Sequence, residues 1–244
     1  MASITKYSPY KIASNKNRAL IFIGLIATII LEDIIIYNVP IDFKLYYTNY
    51  ILIINSSIAV GFAIILLSRQ RFEPIHVKIH AAIAIGLVLW LGANITWTIY
   101  ENFLDVVPPV PSIADFFWLA AYPFFVYSLY KTYKEFRKKL QSKKVVLIGL
   151  ASSITFIVCM VIFTFNLSIF TTLRGIAMFS VIIAYPVLNT ILFVPAITLF
   201  TVFRKEKNYS VPWVCESLSL LILIVADSWF AIIFLTHRTE EIWY

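Results

Sequence analysis

Few side chains in this chain can do chemistry, and those few are spaced to share helix faces. Trp90, Asn94, Trp97 and Glu101 follow one another at intervals of four, three and four, which in a helix forms one stripe. Asp115, Trp118 and Tyr122 repeat the pattern at three and four. Arg174, Tyr185 and Asn189 lie on one side of a third segment, and Glu216, Ser219 and Asp227 on one face of a fourth. Carboxylates, a guanidinium and aromatic walls are the materials of a small-ligand recess. A buried acid such as Asp227 must be protonated, hydrogen-bonded or paired, and Arg174 is the obvious partner. The candidate ligand-binding residues are therefore Trp97, Glu101, Asp115, Trp118, Tyr122, Arg174, Tyr185, Asn189 and Asp227.

Catalytic apparatus is missing from the sequence. It contains no H-E-x-x-H, no G-x-S-x-G and no glycine-rich phosphate loop, so hydrolytic and phosphoryl-transfer chemistry is not expected. The last apolar run lacks the central lysine of a retinal protein, and no histidines pair within apolar runs as haem ligation requires. His76 and His80 are four apart and could share a metal, but no third ligand accompanies them. Cys159 and Cys215 lie inside apolar runs and read as small buried hydrophobes. The expectation is a non-enzyme with no metal and no cofactor.

The elements that must carry these residues are membrane helices. Of 244 residues, 61% are hydrophobic and 14% charged, against about 45–50% and about 25% in soluble domains. Mean hydropathy is +0.86. Crossing a bilayer takes roughly 20 apolar residues, and seven runs qualify, near 19–39, 47–68, 79–101, 113–133, 145–165, 175–201 and 212–236. The expected fold is thus an all-α integral membrane protein, with a tail at 1–18, a seven-helix domain at 19–236 and a second tail at 237–244. The first run follows Lys6, Lys11, Lys16 and Arg18 without a small-residue cleavage site, the pattern of a retained anchor.

Charge sets the expected orientation. Seventeen of the twenty Lys and Arg residues fall in the first tail and in the segments 69–78, 131–144 and 204–207, leaving Lys44, Arg174 and Arg238 for the other side. The positive-inside rule then puts the N-terminus in the cytoplasm and the C-terminus outside, in the plasma membrane. A net charge of +7 distributed this way marks loops rather than a nucleic-acid surface. The segment 131–144 is also able to meet anionic headgroups or a cytoplasmic signalling partner.

Between the third and fourth runs the chain must turn. Pro108-Pro109-Val110-Pro111 cannot be helical, and Ser112 with Asp115 matches a capping box that opens the next helix. Pro123 should kink that helix. Small polar residues of the second run (Asn49, Asn55, Ser56, Ser57) suit interhelical hydrogen bonds. Glu32 and Asp33 in the first run lie near the headgroups or face a polar interior.

Trp97-Thr98-Ile99-Tyr100-Glu101, the hinge Pro108 to Asp115 and the sequel Phe117-Trp118-Leu119-Ala120-Ala121-Tyr122-Pro123 resemble a membrane sensory region of bacteria and archaea. That region precedes diguanylate cyclase, phosphodiesterase or histidine-kinase modules, with the pattern W-x-x-Y-E, P-P-x-P-S-x-A-D and Y-P. Ala184-Tyr185-Pro186-Val187-Leu188-Asn189 is similar to its A-Y-P-v-l-D, with Asn189 in place of the acid, and Val225-Ala226-Asp227-Ser228-Trp229 to its later A-D-S. The likeness covers about 90–235. It implies a further span and an output domain, whereas this chain ends at Tyr244. The expectation is a piece of a longer chain or a stand-alone relative.

Together these readings predict a sensory, receptor-like membrane module with an outward-facing polar–aromatic pocket and no output domain in this chain. Two rivals use the same residues: a proton- or cation-coupled transporter, and a non-catalytic subunit bound to other membrane subunits. The lipid bilayer is a partner in every case.

Overall fold

The computed structural model of the chain describes residues 15–69, 74–136, 147, 154, 172–203, 218–223 and 225. Long helices dominate them: α1 (Asn15–Asn38), α2 (Ile41–Arg69), α3 (Pro74–Thr98), α4 (Ile113–Phe136) and α5 (Leu173–Phe203). Residues 218–223 are helical as well, and no strand occurs among the described residues. The all-helical expectation holds. Among the described residues four helical stretches are long and apolar enough to cross a bilayer: Ile41–Ser68, His76–Phe103, Ile113–Lys134 and Gly175–Phe200. They correspond to the second, third, fourth and sixth apolar runs, the second beginning six residues earlier than its run. The run 145–165 apart from 147 and 154, most of 212–236, the cations from 137 to 144 and both expected tails, except for 15–18, fall outside the described residues.

The surface explains the composition. Ile54, Ile58, Phe62, Ile64 and Ile65 of α2 are exposed, so much of that helix's exposed surface is apolar. Burying such a side chain is worth about 1.5–3 kcal/mol relative to water. Hydrocarbon removes that incentive, because lipid tails are as apolar as the side chains.

Two compact units divide the chain, Met1–Ile51 and Leu52–Tyr244. In the first, α1 closes with Asn38 Nδ2 donating to the Ile34 carbonyl at 2.7 Å, and Phe43 N–H donates to the Pro40 carbonyl at 2.9 Å as α2 begins. Pro40 immediately before α2 suits a helix start, since its fixed φ is already helical. A shallow, mostly apolar concavity there is lined by Ile35, Asn38, Val39, Pro40, Phe43 and Tyr47.

In the second unit α3 and α4 pack side by side over most of their length, and α4 makes a smaller interface with α5. Contacts fix their directions. Along α3 from Trp90 to Trp97 the ring partners on α4 retreat from Phe125 to Trp118, so this pair is antiparallel. Along α5 from Tyr185 to Asn189 the bonded partners on α4 advance from Asp115 to Tyr122, so that pair is parallel. A core of Ala121, Tyr122, Phe125, Leu129, Leu192, Ala196, Leu199 and Leu220 joins α4, α5 and the helical stretch 218–223.

The connection from α3 to α4 holds the main departure from simple periodicity. Beyond Thr98 the helix widens into a π turn, Ile99–Phe103. Leu104 N–H reaches the Ile99 carbonyl and Val106 N–H the Tyr100 carbonyl, both at 3.0 Å. Asp105 takes φ 50°, the left-handed conformation that closes helices and that Asp tolerates better than most residues. A π turn takes one more residue per hydrogen-bonded closure than an α turn, so the strict α spacing of Trp90, Asn94 and Trp97 does not continue unchanged to Glu101. Residues 105–109 have no regular structure, as three prolines nearby demand.

The capping box forms as expected. Asp115 N–H donates to Ser112 Oγ at 3.1 Å, while Ser112 N–H and Ser112 Oγ–H both donate to Asp115 Oδ2 at 2.7 Å. Pro123 lies inside an uninterrupted α4.

Candidate polar–aromatic site

Asp115 does more than cap α4. It is 5% exposed, and its second oxygen, Oδ1, accepts a hydrogen bond from the Tyr185 hydroxyl of α5 at 2.8 Å. Seven residues further along α4, and about 10 Å deeper at 1.5 Å per residue, the Tyr122 hydroxyl donates to Asn189 Oδ1 at 2.7 Å. The two rungs are crossed: α5 supplies the tyrosine of one and α4 the tyrosine of the other. Their rings meet edge-on with centroids 6.4 Å apart, a favourable aromatic geometry. Tyr122 and Asn189 are almost wholly buried.

The aromatic wall stands on the α3 side. Trp90 lies 6.3 Å from both Trp118 and Tyr122 and 6.2 Å from Phe125, and Trp97 lies 5.4 Å from Trp118, all between ring centroids. Asn94, on the same stripe, is buried and donates through Nδ2 to Ser56 Oγ of α2 at 3.3 Å. Of the small polar residues of α2, Ser56 therefore does serve an interhelical bond.

Hydrogen bonding around the site is uneven. Asp115 is well supplied, with three donors on its two oxygens. Asn189 Nδ2 and Trp118 Nε1 are buried N–H groups with no hydrogen-bond partner among the described residues. Inside a bilayer such donors call for an acceptor, since no bulk water reaches them.

Of the nine nominated residues, six come together: Trp97, Asp115, Trp118, Tyr122, Tyr185 and Asn189. Glu101 sits half-buried on the π turn, further out than Trp97. Arg174 belongs to the first turn of α5, but its side chain is outside what the structure describes, and Asp227 is outside the described residues altogether. The expected meeting of carboxylates with Arg174 therefore has no geometry. Among the described residues no group of three or more His, Cys, Asp or Glu side chains is placed to hold a metal ion. Trp90 is not among the nine, yet its ring packs against Trp118, Tyr122 and Phe125; its place on the Asn94–Trp97 stripe is the signal. Ser112 also contributes more than a cap, because its two donors load the oxygen next to the one that Tyr185 uses.

The lower rung yields a direct prediction. Tyr122→Phe leaves both polar atoms of a buried Asn189 without partners, and interhelical bonds of this kind average about 0.6 kcal/mol and reach about 1.7 kcal/mol in membrane proteins. Unfolding in mild detergent should show a loss near the upper figure. Tyr122→Phe combined with Asn189→Leu should recover most of it, because removing both partners leaves nothing unsatisfied. Additive losses in that pair would mean the bond contributes nothing. Comparison of the chain with protein families, with characterised proteins and with solved structures gives no match in any of the three.

Proposed function

We propose that this chain is a membrane-embedded sensory module whose ligand, small and partly polar, binds at the crossed rungs between α3, α4 and α5. The observation that carries this reading is the combination of an aromatic wall, a fully hydrogen-bonded buried carboxylate and two buried N–H donors awaiting an acceptor. Packing alone does not require that combination; an apolar contact would hold the helices as well without the cost of desolvating polar groups. The sequence resemblance to sensory regions ahead of signalling modules points the same way. In this reading the ligand engages Asn189 Nδ2 or Trp118 Nε1, and α4 carries the change from Asp115 at one end to Lys131 and Lys134 at the other.

The tryptophans are built-in reporters. Protein in lipid nanodiscs, screened against small amines, alcohols, aromatic acids and quinones, should show a compound that quenches tryptophan emission and raises the unfolding midpoint. At one hundred times its Kd a ligand stabilises by about 2.7 kcal/mol. Asn189→Ala and Trp118→Phe should abolish that shift while the protein stays folded. If every compound that shifts wild type shifts both variants equally, the ligand site is elsewhere.

The seven-span topology, cytoplasmic N-terminus and plasma-membrane location belong to this proposal. The parallel run of α4 and α5 supports one part of it, the span between them: two bilayer-crossing helices with the same direction require the chain between 136 and 173 to cross back. The apolar run 145–165 is long enough to do so. Val107 in the hinge is exposed, so it serves as a marker. With Cys159 and Cys215 replaced by Ala, Val107→Cys should react with a membrane-impermeant maleimide on intact cells, and Ala2→Cys only after the cells are opened. The reverse pattern would invert the topology.

A further inference from the structure

The inner end of α4 has two opposed stripes with the same spacing. Phe125, Ser128, Leu129 and Thr132, at intervals of three, one and three, are buried. Tyr127, Tyr130, Lys131 and Lys134 repeat those intervals on the opposite face, with Tyr127 and Tyr130 exposed at 39% and 57%, Lys134 exposed and Lys131 half-buried. Lys131 Nζ lies 5.3 Å from the centre of the Tyr127 ring, within cation–π range. That contact holds the ammonium against the helix surface instead of leaving it to sweep through solvent.

The level of this stripe follows from helix length. The bilayer-crossing stretch of α4 runs from Ile113 to Lys134, 22 residues or about 33 Å, close to the ~30 Å of a hydrocarbon core. Lys131 and Lys134 therefore reach the phosphate layer, with the tyrosines just beneath it, where amphipathic rings are favoured. The helix dipole accounts for one cation in a last turn. It does not account for two exposed tyrosines on the same face. Five further cations follow in sequence (Arg137, Lys138, Lys139, Lys143, Lys144), and Glu135 is the one acid between Asp115 and Glu206.

We infer that this Tyr127–Tyr130–Lys131–Lys134 face is a binding site for an anionic phospholipid of the surrounding bilayer. The two ammonium groups pair with the lipid phosphate, the tyrosine hydroxyls donate to its ester or glycerol oxygens, and the acyl chains lie along the apolar side chains of α4. The partner is a lipid in place and not a free anion, because the face is half apolar and opens sideways to hydrocarbon. The lipid face shares no residue with the ligand site at the other end of the helix, and its test does not depend on a ligand binding there.

The test uses the full chain in nanodiscs of phosphatidylcholine doped with phosphatidylglycerol, with native mass spectrometry reading which lipids stay bound. Wild type should retain phosphatidylglycerol over phosphatidylcholine by roughly tenfold or more, as expected for two cations at an anionic surface. Lys131→Gln with Lys134→Gln should bring the ratio near parity although the five later cations remain. Tyr127→Phe with Tyr130→Phe should lower it by a few fold. An unchanged unfolding midpoint of the double Gln variant in pure phosphatidylcholine shows that it still folds. No preference in wild type, or an undiminished preference in the Gln variant, overturns the assignment. So does glycerol phosphate in solution competing as well as the intact lipid.

Discussion

Asp115→Ala should lower the unfolding free energy by about 3 kcal/mol, the largest single loss in the second unit outside the hydrophobic core. The magnitude comes from three donors that share one carboxylate. Losing a helix cap alone costs about 1 kcal/mol, and Ser112→Ala should show that much. The Tyr185 bond adds an interhelical contribution of up to about 1.7 kcal/mol, which Tyr185→Phe should reveal. Alanine also strands the Ser112 and Tyr185 donors in a poorly hydrated place. Asp115→Asn separates these effects. An amide keeps one oxygen for Ser112 but turns an NH2 group towards the Tyr185 hydroxyl, which would have to reverse and accept. Its loss should therefore lie nearer 1 kcal/mol. A double-mutant cycle of Asp115→Ala with Tyr185→Phe should give a coupling of about 1 kcal/mol. Zero coupling, with Asp115→Ala no worse than Ser112→Ala, would reduce the carboxylate to a helix cap.

Why was this site partly legible in the sequence? Trp97, Trp118, Tyr122, Tyr185 and Asn189 stand out because large polar-tipped side chains recur at helical spacing within long apolar runs. Each occupies a face that lipid would disfavour and a neighbouring helix would not. The capping box is local, so Ser112 and Asp115 could be paired from three positions of sequence. Which tyrosine bonds which acceptor could not be read that way. The crossed pairing depends on the parallel approach of α4 and α5, set by packing between segments some 70 residues apart. The backbone at Glu101 is a different case. The α period was extended through residues that form a π turn, and nothing in Ile99-Tyr100-Glu101-Asn102-Phe103 announces the extra residue per closure. Arg174 and Asp227 remain expectations from charge economy alone.

At Gly86 α3 comes especially close to α4. A Cβ built there would lie 2.6 Å from Phe125 Cε1 and 2.9 Å from Phe125 Cδ1, well inside contact distance. At Gly92 the nearest atom, Phe117 Cδ1, is 3.6 Å away, which is ordinary contact. One more carbon should thus be harmless at Gly92 and harmful at Gly86, even though both glycines sit on α3 against an α4 phenylalanine. The Phe125 ring has little freedom to retreat, being 5% exposed and packed against Trp90. Relief must come from moving α3 off α4, which loosens the wall of Trp90 and Trp97 along with it. Gly86→Ala should cost about 1–3 kcal/mol, the range for overpacking a filled core, less up to about 1 kcal/mol regained from the better helix propensity of alanine. Gly92→Ala should be neutral or stabilising. Phe125→Leu in the Gly86→Ala background should restore stability relative to Gly86→Ala alone, because the branched side chain vacates the ring positions that the new methyl needs. The propensity gain then remains without the clash. Unfolding midpoints of the four proteins in one detergent decide it, and equal effects at Gly86 and Gly92 would mean that α3 and α4 do not approach as closely as the contact at Phe125 requires.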